Sequence, residues 1–207
     1  MAIQLKDLID PSTTAVLCME MQRGIVGDLS SIPQLYEAVH GGKLPEHIAG
    51  LMQAARAAGA QVVYCNSLRR ADRKGSMVNA PMLARGIKNP THCVEGTASA
   101  EVIPELAPQA SDFISGRYHG MSPFTGTSLD AGLRAMGIRN LIATGVSLNV
   151  GIIGMVIEGV GLGYNVVIPR DCVAGLPASH AESILANTLP VLGAVVTSED
   201  IKAAWKK

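Results

Sequence analysis

Short apolar runs recur along the chain, separated by longer stretches of mixed character. The first, Thr14 to Met21 (TAVLCMEM), is apolar and β-branched until Glu20 interrupts it near its end. The others are Gln61 to Cys65, Ser111 to Ser115, Leu141 to Ala143, Asn165 to Ile168 and Ala194 to Thr197. Runs of this length bounded by turn residues suit strands buried on both faces. Between the first two lies a helical region from about Ile32 to Ala58. Its main helix starts at Leu44-Pro45, carries Ile48, Leu51, Met52 and Ala55 along one face, and stops at Gly59. Strand, helix, strand in that order favours a parallel sheet. Further helices are expected from Ser128 to Met136, from Pro177 through Leu189, and after the cap Ser198-Glu199-Asp200. Residues 66–100 read as one long irregular connection, and connections of that length are often functional.

The rest is organised around Asn140 to Gly163, NLIATGVSLNVGIIGMVIEGVGLG. An apolar strand turns through Thr144-Gly145-Val146-Ser147 and enters a helix near Asn149. Such a turn gathers backbone N–H groups and a positive dipole end where open α/β sheets bind ligands. The first helical turn offers Ser147, Asn149 and Gly151, with no cysteine. Gly151, Gly154, Gly159 and Gly161 would each cost roughly 1 kcal/mol against Ala in a helix interior. They permit close approach of another backbone, within the sheet or across a subunit contact.

Two charges close apolar strands. Glu20 ends the first and either serves the site or simply leaves the sheet into solvent; Arg117 follows the third. A third group, Arg69-Arg70-Ala71-Asp72-Arg73-Lys74, either meets an anionic substrate or is a solvated loop face, the blander account. His92 beside Cys93 suggests a thiol–imidazole pair, but neighbours in sequence rarely face each other.

Composition narrows the classes. The chain has 207 residues, 48% hydrophobic and 16% charged, with 17 Lys+Arg balancing 17 Asp+Glu. That fits one domain over 1–207 with a sizeable core, and gives no electrostatic case for nucleic acid or an acidic membrane. The N-terminal MAIQLKDLIDPSTT carries charges where a secretory signal needs its apolar core, and Val150 to Val160 is too short to span a bilayer. The widely spaced Cys18, Cys65, Cys93 and Cys172 form no CxxC or zinc pattern, so reduced thiols in a cytoplasmic protein are expected. No G-x-G-x-x-G follows the first strand and no Walker sequence occurs. The sparse polar surface hints at oligomerisation.

The most specific segments are His92-Cys93-Val94-Glu95-Gly96-Thr97 and Ser122-Pro123-Phe124-Thr125-Gly126-Thr127-Ser128-Leu129-Asp130. With Thr144-Gly145-Val146 and Gly163-Tyr164-Asn165-Val166-Val167 leading to Asp171, they resemble the isochorismatase-like hydrolases. That family includes isochorismatases, nicotinamidases and N-carbamoylsarcosine amidase-type cysteine hydrolases. The resemblance runs from Thr14 to about Thr197. It implies an α/β fold, a doubly wound, mostly parallel sheet of about six strands in a three-layer, Rossmann-like α/β/α arrangement, and a homodimer or homotetramer.

The family's amidases use an Asp, a Lys and a Cys, and this chain departs at all three. Glu20, followed by Met21-Gln22, stands where the Asp of a D-x-Q segment belongs. The Lys is replaced by Arg117, or by Tyr118 if the loop is shifted by one, and Gly151 occupies the cysteine position. Thioester chemistry is therefore not expected. Isochorismatases also lack the cysteine and hydrolyse a vinyl ether by acid chemistry centred on the carboxylate. Glu20 is the expected acid/base, one methylene longer than Asp, and Arg117 a clamp for a substrate carboxylate. The resemblance groups Gln22, Tyr118, His119, Ser122, Phe124, Val146, Ser147, Asn149 and Val150 around them as substrate contacts. A solvent-facing His119 is the competing account. A cis peptide at Val146–Ser147 is also implied. The nicotinamidase zinc segment D-x-H is replaced by Asn66-Ser67-Leu68, so neither metal nor cofactor is expected. The expected function is hydrolysis of a small carboxylated molecule. The alternatives are a catalytically inactive relative that binds a small molecule or a partner, and an isomerase- or lyase-like activity on the same scaffold.

Overall fold

A computed structural model of the chain describes residues 4–206. Its strands are β1 (Thr14–Met19), β2 (Gln61–Ser67), β3 (Phe113–Arg117), β4 (Asn140–Val146), β5 (Asn165–Pro169), β6 (Val173–Ala174) and β7 (Ala194–Val196). They form one 7-stranded sheet in the order β3-β2-β1-β4-β5-β7, with the two-residue β6 beside β4. Every pairing is parallel. The chain winds outward from β1 through β2 to β3, then restarts at β4 and winds the other way. The strand order therefore reverses between β1 and β4, which makes their carboxyl ends the natural ligand site.

The helices are α1 (Leu5–Leu8), α2 (Arg23–Val26), α3 (Pro33–Gly41), α4 (Leu44–Ala58), α5 (Pro81–Lys88), α6 (Leu129–Ala135), α7 (Ile153–Gly161), α8 (Ala178–Ser183) and α9 (Ser198–Trp205). Alternation along β1 divides them between two cores. Val16 and Cys18 pack with Ile48, Leu51, Met52 and Ala55 of α4 and with Ile201 of α9. Ala15, Leu17 and Met19 point the other way, toward Leu129 and Leu133 of α6 and Met155 and Val156 of α7. Because both faces are covered, all six residues of β1 are buried, which is why this strand reads as a continuous apolar run. Each large side chain so buried contributes roughly 1.5–3 kcal/mol.

Several boundaries differ from the sequence expectation. β1 stops at Met19 because Glu20 adopts a left-handed conformation (φ 55°) that ends the extended chain. β2 and β3 each run two residues further than the apolar pattern suggests, to Ser67 and Arg117. The helical region 32–58 is two helices, divided at Gly42 and at Lys43, also left-handed. The connection 66–100 holds α5, which buries only Leu83 and so leaves no periodic apolar signature. The helix after β4 opens with a π-helical turn, Leu148–Ile152, before α7. Its glycines mostly face the same chain: a Cβ on Gly159 would lie 3.2 Å from Leu141 Cδ1, and one on Gly154 3.8 Å from Ser122 Cβ. The terminal cap falls one residue before Ser198: Thr197, expected in the last strand, forms a reciprocal box with Asp200, each accepting the other's backbone N–H. The Val146–Ser147 peptide is cis. Among the described residues, no helix is long and apolar enough to cross a membrane.

Candidate active site

A cavity of about 880 Å³ opens at the carboxyl ends of the central strands, between the turn after β4 and the segment carrying α5. Glu20 reaches its wall because the left-handed backbone beyond β1 turns the side chain out of the sheet. Arg117 reaches it from the end of β3, which is paired with Ser67 of β2. The arginine crosses the end of β2 so that its Nη2 forms an ion pair with Glu20 Oε1. Its Nε donates to the Gly120 carbonyl at 3.4 Å, while its Nη1 is buried without a protein partner among the described residues. Glu20 Oε2 takes no hydrogen bond from the described residues, and the carboxylate side chain retains 16% exposure.

The twelve positions expected at the site divide into those on the cavity wall and those behind it. Glu20, Arg117, Tyr118, His119, Ser147, Asn149 and Val150 line the cavity. His119 is thus inside rather than facing bulk solvent, its ring lying where a Cβ on Gly126 would be, at 2.4 Å. Ser147 Oγ donates to Asn149 Oδ1 at 2.6 Å, which also accepts from the Leu176 N–H at 3.4 Å.

Gln22, Ser122, Phe124, Val146 and Gly151 are not on that wall. Gln22 is fully buried and staples three segments together. Its Nε2 donates to the carbonyls of Ser67 and Ala100, both at 2.9 Å, and its Oε1 accepts from the Ser67 N–H at 2.7 Å. It holds the exit of β1 against the end of β2 and so positions Glu20. Phe124 stacks on Tyr164 with centroids 6.0 Å apart inside the core beneath α7. Ser122 Oγ accepts from the Phe124 N–H at 3.3 Å in the turn that places that ring. Val146 belongs to the core on the opposite face. The buried Gly151 faces Met19: a Cβ there would lie 2.6 Å from the methionine methyl and 3.1 Å from its sulfur. The thioether of Met19 fills the space a side chain at 151 would need.

The four cysteines are free and buried. Burial pushes the Cys65 and Cys93 thiols up to about 12, and raises Cys18 and Cys172 as well. Against expectation, His92 does meet Cys93, with Nε2 at 3.9 Å from Sγ. The left-handed backbone of Cys93 (φ 51°) brings these sequence neighbours together. The contact is between neutral groups, since burial, and then the nearby Arg69 charge, hold the imidazole below its usual range.

Residues the sequence reading did not place at the site come mainly from 66–100. Arg69, His92 and α5 form the wall opposite the β4 turn. Arg69 had a legible signal, as a charge just past a strand end, the same reasoning that picked out Glu20 and Arg117. Ending β2 at Cys65 leaves it inside the run Arg69 to Lys74, for which a solvated face is favoured over contact with an anionic substrate. Where zinc ligands would follow β2, the chain offers Asn66, Ser67 and Leu68, and among the described residues no three His, Cys, Asp or Glu side chains converge. Those donors do not fit a zinc ion.

Comparison with known proteins agrees with this architecture. Ureidoacrylate amidohydrolase RutB of Caulobacter vibrioides is 30% identical, over 95% of this chain and 93% of that protein. A cysteine hydrolase from Pseudomonas syringae pv. phaseolicola superposes with a TM-score of 0.82 at 26% identity, over 96% of this chain and 95% of that one. An isochorismatase family protein from Burkholderia thailandensis gives 0.77 at 28% identity, over 95% and 97%. The sequence model of the isochorismatase domain matches residues 14–200, and the chain belongs to the isochorismatase-like hydrolase family.

Proposed function

We propose that this chain hydrolyses a small carboxylated molecule by carboxylate-centred acid/base chemistry, without a cysteine nucleophile or a metal. The observation that carries the reading is the division of labour at Glu20. Oε1 is spent on Arg117, and Oε2 is left without a protein partner on the cavity wall. The similar protein RutB is named for ureidoacrylate, a carboxylate with a hydrolysable C–N bond, and that bond class suits the site.

In the proposed step, Glu20 Oε2 takes a proton from a water molecule as its oxygen bonds to the substrate's carbonyl carbon. The carbonyl π electrons move onto oxygen, where the backbone amides of Ser147 and Asn149 form the polar cradle. The oxyanion then reforms the carbonyl, the C–N bond breaks, and the proton held on Glu20 passes to the departing nitrogen. Arg117 keeps Glu20 aimed, while Ser147 and Asn149 present polar contacts to the substrate. With Gly151 in place of a thiol and four neutral, buried cysteines elsewhere, no covalent thioester enters the step.

The test compares wild type with Glu20→Gln on a panel of small ureido, carbamoyl and amide acids together with isochorismate, followed by mass spectrometry. Consumption by wild type alone is the expected result, with circular dichroism showing both proteins folded. Equal inertness of two folded proteins across the panel defeats the proposal. The second reading, a non-catalytic binding protein, draws on the same Glu20–Arg117 pair. It gains if the wild type carries a bound compound through purification yet transforms nothing.

A further inference from the structure

The cavity wall carries an excess of positive charge that the described residues do not balance. Four cations, Arg69, Arg85, Lys88 and Arg117, line the cavity against one carboxylate, Glu20. Glu20 is engaged by Arg117. Arg69 is the exceptional member. It is only 8% exposed, yet its guanidinium makes no ion pair and no hydrogen bond among the described residues, and its Nε is shut away from solvent. Arg73 and Arg117 act against its charge, and Glu20 favours it from a distance without forming a pair. Desolvation pulls its pKa below the usual arginine value, the direction expected where a buried charge has no protein partner to stabilise it.

The guanidinium is nevertheless held in place. The Arg69 N–H donates to the Cys93 carbonyl at 2.8 Å, and the Arg69 carbonyl accepts from the Glu95 N–H at 2.9 Å. Its side chain lies across the backbone of α5 at Gly86, where a Cβ would sit 2.6 Å from Nη2. A buried ion is tolerated when paired and is costly otherwise. A planar fork fixed at a cavity wall, in excess positive charge, is suited to bidentate capture of a carboxylate.

We infer that Arg69 is the anchor for the carboxylate of a small organic anion in this cavity, and that Arg117, already engaged by Glu20, is not. This moves the clamp role from the end of β3 to the loop after β2. It rests on the hydrolase reading only in taking that anion to be the substrate. The substrate class that fits is a small acid whose carboxylate lies on Arg69 and whose scissile bond reaches Glu20 Oε2.

The probe is sodium malonate, with uncharged malonamide and sodium phosphate as controls, read by thermal unfolding of wild type, Arg69→Met and Gly86→Ala. Malonate is expected to raise the wild-type Tm by several degrees, and malonamide to leave it unchanged. Arg69→Met is expected to lose that shift while unfolding, without anion, at or above the wild-type temperature, because it removes an unpartnered buried charge. Gly86→Ala keeps every charge but displaces the fork, and should weaken malonate at least several-fold. No malonate shift in wild type overturns the assignment. So does a shift that survives in Arg69→Met or is undiminished in Gly86→Ala, and so does an Arg69→Met protein that unfolds well below wild type. Phosphate stabilising as strongly as malonate through Arg69 overturns the carboxylate assignment. These measurements need no turnover. An Arg69-dependent malonate shift in a protein as inert as Glu20→Gln leaves the anion site standing while the hydrolase reading fails.

Discussion

Arg117 and Arg69 stand at or just beyond the carboxyl ends of adjacent strands, both on the cavity wall and both under a tenth exposed. Arg117 reaches across β2 to the Glu20 carboxylate just past β1; among the described residues Arg69 meets none. Burial alone therefore says little about what an arginine does. In the first case the protein supplies the counter-charge and obtains a positioned Glu20. In the second it holds a rigid fork toward a space where an acid fits.

Removing each charge should separate the two most sharply, and this is the largest contrast expected between paired variants. Arg117→Met leaves Glu20 without its cation, and breaking a buried pair from one side costs about 3–5 kcal/mol. Glu20 keeps some exposure, so a smaller cost, about 2–3 kcal/mol, is expected, or a Tm lower by roughly 5–10 °C for a chain of this size. Arg69→Met should not lower Tm at all. A similar loss from both substitutions would erase the distinction.

The second contrast lies between Gly151 and the strand it faces. Gly151→Cys forces its Cβ against the methyl of Met19, and overpacking of this kind costs about 1–3 kcal/mol. Met19→Ala alone opens a hole in a fully buried site and costs about 2–5 kcal/mol. If the two side chains compete for one space, the double variant is less destabilised than the sum by about 1 kcal/mol or more. Chemical denaturation of the four proteins measures that coupling, and strict additivity would show that Met19 does not occupy the space at 151.

A smaller effect links Arg69 to acid sensitivity. His92 is held below its usual pKa, first by burial and then by Arg69. A histidine whose folded value is depressed contributes stability that is present above about pH 6.5 and lost as pH falls toward the folded value. His92→Gln should therefore flatten the decline in stability below pH 6.5. Arg69→Met should raise the His92 titration midpoint in an NMR experiment, whereas Arg117→Met, not among the leading influences on His92, should shift it less.

These contrasts also mark what the sequence made legible. β1 and β4, buried on both faces, left apolar runs from which the sheet, its parallel sense and the cavity at its carboxyl end could be read. Glu20 and Arg117 stood out because a charge ending such a run needs a reason. The flap from 66 to 100 was opaque for the opposite cause: α5 buries a single leucine, so nothing periodic announces it. Phe124 and Gln22 lie near the site in sequence, but only packing shows that they brace it from behind.

The smallest expected effect tests whether that opacity concealed one residue or a whole patch. Arg70 follows Arg69 directly, yet its side chain is 58% exposed and pairs with Asp72 at 2.9 Å across the surface. An exposed pair of this kind adds little to stability and is screened by salt. Arg70→Ala should leave both Tm and the malonate response unchanged in the same thermal unfolding experiment that silences Arg69→Met. Loss of the malonate shift in Arg70→Ala would mean that the run Arg69 to Lys74 attracts anions as a diffuse field. Its retention would place recognition on the Arg69 guanidinium at the cavity wall.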